Sequence, residues 1–185
     1  MSYTLIPGHD AVNGNTNSCL YRAFGDQCVR YDPAKPIAEQ LDAFPEQGEE
    51  TVVAHSYGFA AFVAARAAGR LQAATKLIVL DGWYPEDGMW TGEPLLIQLP
   101  NIQCIFFFPT VGNRSEYKLE ADIVRPAMAS AHDITIVRGQ GFGHNLVYQS
   151  FGADEVKELI KSLGYLTGVG IYTVEFPQTG LKSGE

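Results

Sequence analysis

Between Thr51 and Phe62 the chain reads Thr-Val-Val-Ala-His-Ser-Tyr-Gly-Phe-Ala-Ala-Phe. A β-branched run ends in a small residue, Ala54, a lone serine follows after His55, and an alanine-rich helical stretch begins. That order predicts a strand that turns sharply into a helix, with Ser56 at the turn. Strand and helix pass close together on either side of such a turn, so the residues two before and two after the serine must be small. Gly58 meets that limit fully and Ala54 less well, which makes the motif G-x-S-x-G with alanine in the first glycine position. The strained turn lifts the serine hydroxyl clear of the sheet. A serine that merely caps a helix is the plainer reading of the same residues.

The rest of the chain repeats the strand-then-helix alternation. Tyr3–Ile6, Cys28–Tyr31, Thr51–Ala54, Leu77–Leu80, Ile102–Phe108 and Ile134–Val137 read as six strands. Several are apolar at every position, the pattern of parallel strands covered on both faces. Helical patterns run over 17–24, 36–44, 59–71, 116–131 and 153–163; the last puts Val156, Leu159, Ile160 and Leu163 on one face. The expected fold class is α/β, an open and mostly parallel doubly wound sheet in a single domain over 1–185. The tail over 165–185 is expected as a C-terminal extension, with 171–176 alternating like an edge strand. In such a sheet, ligand-binding residues gather at the carboxyl ends of the strands.

A net charge of −8 without a basic cluster argues against nucleic acid or an anionic membrane surface as a main partner. No stretch approaches the roughly 20 apolar residues of a membrane span, and the first residues lack the features of a signal peptide. Cys19, Cys28 and Cys104 are odd in number and form no C-x-x-C pair, so free thiols in a reducing cytoplasm are expected. No His/Cys spacing suggests a metal site, and no cofactor motif is present.

Three residues then stand in a chemically meaningful order. A serine hydroxyl needs a base to take its proton, and the base needs a third group to orient it. Asp81 follows an apolar strand, and His144 lies in the glycine-rich loop after the last core strand. Ser56, Asp81 and His144 are all expected at strand carboxyl ends on one edge of the sheet, in the order Ser, Asp, His. Glu116 is the alternative acid, since it is the only carboxylate in the loop after Ile102–Phe108. His55 is expected to pack or hydrogen-bond behind the turn.

These motifs resemble the α/β-hydrolase superfamily, most closely the thioesterase domains of polyketide and nonribosomal peptide synthetases and their free-standing relatives. Ala54-His55-Ser56-Tyr57-Gly58 is similar to the family's G-H-S-x-G. Leu77 to Pro85 resembles its strand ending in the catalytic aspartate, and Gly143-His144 its catalytic histidine. Pro7-Gly8-His9 resembles the loop that completes the oxyanion hole. The resemblance implies Ser56 as nucleophile, His144 as base and Asp81 as acid, with backbone N–H groups of Tyr57 and of Gly8 or His9 holding the oxyanion. It implies hydrolysis of an acyl thioester or ester, small or carrier-bound, through an acyl-enzyme and without a cofactor. The chain begins at the family's third strand, without the usual first hairpin, and leaves only a short lid over 82–101. In that segment Trp83, Tyr84, Met89 and Trp90 are candidates to cover the pocket, or they simply cover the top of the sheet. A carboxylesterase or lipase of the same fold, and a binding protein that has lost catalysis, are the competing expectations.

Overall fold

Five of the six apolar runs become strands in the computed structural model, which describes residues 1–8, 18–83, 99, 101–111, 118–130, 132–146 and 149–184. They are β1 (Thr4–Ile6), β2 (Thr51–His55), β3 (Lys76–Leu80), β4 (Gln103–Pro109) and β5 (Ile134–Gln140). The tail adds β6 (Gly170–Glu175) and the two-residue β7 (Lys182–Ser183). The seven strands lie in sequence order across one sheet; β1 to β6 are parallel and β7 is antiparallel. The architecture is therefore α/β with a mostly parallel sheet.

Registration puts Val52, Leu77, Cys104 and Ile134 side by side on one face, and Val53, Ile78 and Ile105 on the other. All seven are buried, so neither face of the central strands meets solvent. Side chains alternate between faces along a strand, so two covered faces demand apolar residues at every position. One face packs against α2 (Gly58–Ala67) and the segment ending in α3 (Arg125–Ala129). The other packs against α1 (Cys19–Phe24) and α4 (Ala153–Gly164). The β5–α4–β6 crossover thus runs over the face opposite to β2–α2–β3 while stepping the same way across the sheet, so it has the opposite hand. Crossovers of one hand predominate strongly in parallel sheets, which makes this last step the unusual one.

Four expectations need correction. Cys28–Tyr31 is not a strand: it keeps only a parallel bridge between Cys28 and Leu5, with Val29 N–H donating to Leu5 O at 2.8 Å. The chain then turns inward, because the Tyr31 ring packs on Phe44 and Tyr57 and its hydroxyl donates to Pro7 O at 2.6 Å. The helix expected over 36–44 is two 3₁₀ turns, Ile37–Glu39 and Leu41–Ala43. At their junction Gln40 leaves helical geometry, with φ −136° and ψ 32°, and its side chain clamps the backbone of Asp32 instead. The helix expected over 116–131 has a π-helical turn, Glu120–Val124, directly before α3. Pro126 lies in the first turn of α3 and has no N–H to give the preceding ladder, a sufficient cause for the shift in hydrogen-bond register. Finally, 171–176 forms a strand as expected but not at the sheet edge, since β6 pairs with β5 on one side and β7 on the other.

Among the described residues, no helix is long and apolar enough to cross a membrane. The three cysteines are buried free thiols.

Candidate active site

Ser56 follows β2 directly and adopts φ 56°, the left-handed region that a residue with a Cβ enters only at a cost of roughly 1–2 kcal/mol. The surrounding backbone holds it there. Its N–H donates to Leu80 O at 3.1 Å, and its carbonyl accepts from Phe59 N–H (3.2 Å) and Trp83 N–H (2.9 Å). The need for small residues is direct. A Cβ on Gly58 would stand 2.1 Å from Ile6 O, so only glycine lets α2 start this close to β1. Gly8 lies against the serine itself: a Cβ there would be 2.8 Å from Ser56 Cβ and 3.3 Å from Ser56 Oγ. Tyr57 is the N-cap residue of α2, at the helix end where backbone N–H groups point out of the ladder.

Asp81 is the first residue after β3 and is 2% exposed. Its N–H donates to Phe107 O at 2.9 Å, and it too is left-handed, with φ 46°. His144 Nδ1–H donates to Asp81 Oδ2. That bond leaves the neutral imidazole with its acceptor lone pair on Nε2. Asp81 Oδ1 is buried with no hydrogen-bond partner among the described residues. Burial pushes the Asp81 carboxyl above the usual carboxylate range, and the His144 hydrogen bond pulls against that rise. The arrangement can hold an imidazole in one tautomer and stabilise it when it takes a proton.

The loop carrying His144 is braced by residues outside the sequence motifs. Phe142, two residues before the histidine, is fully buried and meets Phe107, Phe151 and Phe176 edge-on, at 5.3, 5.0 and 5.4 Å between ring centroids. Its carbonyl accepts from Val111 N–H at 3.0 Å, and Gly141 N–H donates to Thr110 Oγ1 at 3.0 Å. Phe176 belongs to the C-terminal extension, so the tail supports the histidine loop. Sequence could mark Phe142 only as an apolar residue between two glycines. Phe142→Ala is expected to cost about 3–5 kcal/mol of stability by opening a cavity, read by chemical denaturation.

Comparison with protein-family models, curated proteins and solved structures returns no match for this chain. Its site must therefore be read from its own geometry.

Ser56 is brought against Gly8, and its backbone is bonded to both sides of Asp81, at Leu80 and at Trp83. Trp83 is half-buried, with its ring 5.9 Å from that of Tyr57, so it packs on the serine turn. His9, Tyr84, Met89, Trp90 and Glu116 lie outside the described residues. Another carboxylate does stand near the strand ends. Glu120 accepts from Arg138 and from Arg125 Nε (2.9 Å) beside a cavity of about 460 Å³, lined also by Pro109, Thr110 and Gln140. Burial alone would raise the Glu120 carboxyl, but the two guanidinium groups outweigh it and hold the carboxyl below its usual range. Glu120 thus ties the start of α3 to β5. No group of three or more His, Cys, Asp or Glu side chains among the described residues could hold a metal ion.

Proposed function

We propose that this chain is a serine hydrolase of the α/β-hydrolase type, cleaving an acyl thioester or ester by acyl transfer. The observation that carries the reading is the hydrogen bond from His144 Nδ1 to buried Asp81, at the sheet edge where Ser56 occupies a left-handed turn.

In this reading His144 Nε2 takes the proton of Ser56 Oγ as that oxygen attacks the substrate carbonyl carbon. Backbone N–H groups of Tyr57 and of Gly8 or His9 hold the oxygen that becomes negative. As the C–S or C–O bond breaks, the imidazolium protonates the departing sulfur or oxygen, so a thiol or alcohol leaves and an acyl-serine remains. Water, deprotonated by the same imidazole, attacks the acyl-serine; as the C–Oγ bond of the resulting tetrahedral adduct breaks, the imidazolium returns the proton to Ser56 Oγ and the acid is freed. Asp81 stays ionised throughout, orienting the ring and balancing its charge. The preference for a thioester, free or carrier-bound, rests on the likeness of Ala54–Gly58 and Leu77–Pro85 to thioesterase motifs. Three buried free thiols suit a reducing compartment such as the cytoplasm.

The test is a fluorophosphonate probe followed by mass spectrometry of the labelled peptide. A single adduct on Ser56 is the expected result. Folded protein that stays unlabelled would overturn the proposal and favour a binding protein on this fold. Comparing kcat/KM for an acyl-N-acetylcysteamine with that for a p-nitrophenyl ester of the same acyl group separates thioesterase from esterase. The thioester is expected to be the better substrate.

A further inference from the structure

His55 immediately precedes the serine and is 2% exposed. Its Nε2 lies 2.8 Å from the backbone carbonyl oxygen of His144. A carbonyl can only accept, so Nε2 carries the proton and Nδ1 is the acceptor. The hydroxyl of Ser18, 3.1 Å away, donates to that Nδ1. The two imidazole rings also pack together, 4.8 Å between centroids and inclined by 34°. Burial, reinforced by the nearby His144, pushes the His55 pKa down to about 3, so this neutral tautomer persists at working pH.

The contacts join segments far apart in sequence. His55 belongs to the serine turn. Ser18 is the N-cap residue of α1, and residues 9–17 link it to Gly8, which packs on Ser56. His144 belongs to the loop after β5. One buried ring therefore meets the nucleophile's strand, the base's backbone and the residue that follows the 9–17 segment.

We infer that His55 is a positioning residue that sets the His144 backbone relative to Ser56, an inference that rests on the serine-hydrolase reading. Asp81 grips the Nδ1 end of the His144 ring. The bond from His55 anchors the same residue at its carbonyl, so ring and backbone are held from two directions. Because His55 and Ser56 are adjacent, the anchor moves with the nucleophile. Displacing a reacting group by about 1 Å can slow a reaction on the order of 100-fold.

His55→Phe keeps a planar ring but removes both hydrogen bonds, whereas His55→Gln retains an amide donor able to reach the His144 carbonyl. His55→Phe is expected to lower kcat by about 10- to 100-fold with KM within about twofold, and to slow fluorophosphonate labelling of Ser56 by the same factor. His55→Gln is expected to recover most of the loss. Should His55→Phe fail to fold, Ser18→Ala tests the same chain of contacts from its outer end. It leaves the His55–His144 bond in place, and a roughly threefold fall in kcat with unchanged KM is expected. The inference is overturned if labelled, folded His55→Phe turns over at the wild-type rate, or if His55→Gln is as slow as His55→Phe. Wild-type kcat in Ser18→Ala, with His55→Phe unfolded, overturns it as well. A wild-type protein that the probe does not label overturns the hydrolase reading itself, and the positioning role with it.

Discussion

Ser56→Ala is expected to lower kcat by about 10⁵- to 10⁶-fold while the protein stays folded. The rate falls because no other group described at this turn supplies an oxygen to attack the substrate. The proposed backbone donors, Tyr57 and Gly8 or His9, are untouched by this change, so a residual rate of about 10³–10⁴ over water is expected to survive. Stability should change little, because alanine retains the Cβ that makes φ 56° costly. Ser56→Gly separates the two effects. It also removes the nucleophile, but it relieves the left-handed strain and is expected to raise stability by about 1 kcal/mol. Progress curves with an acyl thioester, together with denaturant midpoints for the three proteins, check both halves. A Ser56→Ala protein as active as wild type would eliminate Ser56 as nucleophile.

Asp81→Asn is expected to lower kcat by about 10⁴-fold. An asparagine amide can donate to His144 Nδ1, which places the imidazole proton on Nε2 and leaves no lone pair facing the serine. The fold has no reason to suffer. Asparagine accepts left-handed backbone as readily as aspartate does, and Asp81 sits at φ 46°. The pH dependence has a definite sign. Burial raises the folded-state pKa of Asp81 above its unfolded value. Its contribution to stability is therefore fully present below the unfolded pKa and is lost as pH rises through the folded one. Asparagine does not titrate, so Asp81→Asn should gain stability relative to wild type as pH rises from about 3 to 7. Denaturation at those two pH values, with kcat at pH 7, tests the assignment. Unchanged kcat would exclude Asp81 as the acid.

Much of this arrangement could be read from one dimension because its causes are local. Gly58 is small because α2 starts against Ile6 O, and a strand covered on both faces must be apolar throughout, as Leu77–Leu80 is. Such requirements leave their mark at fixed offsets. Cys28–Tyr31 misled because β-branched and aromatic residues also suit an inward turn, and Tyr31 is held by Pro7, Phe44 and Tyr57. The tail was legible as an alternating run, but its parallel place beside β5 was not. Nothing local marks a crossover that goes over the opposite face.

The site divides the same way. Sequence alone determined which residue types were available and in what order: a serine between small neighbours, a carboxylate after β3 and a histidine after β5. Tertiary structure decided what they touch. It brought Asp81 to His144 across 63 residues, packed Phe142 against Phe176 of the tail, and bonded His55 to Ser18 on one side and His144 on the other. A hydrogen bond or ring contact depends on where two distant backbones meet, and strand pairing and helix packing set that meeting point. No spacing along the chain encodes it.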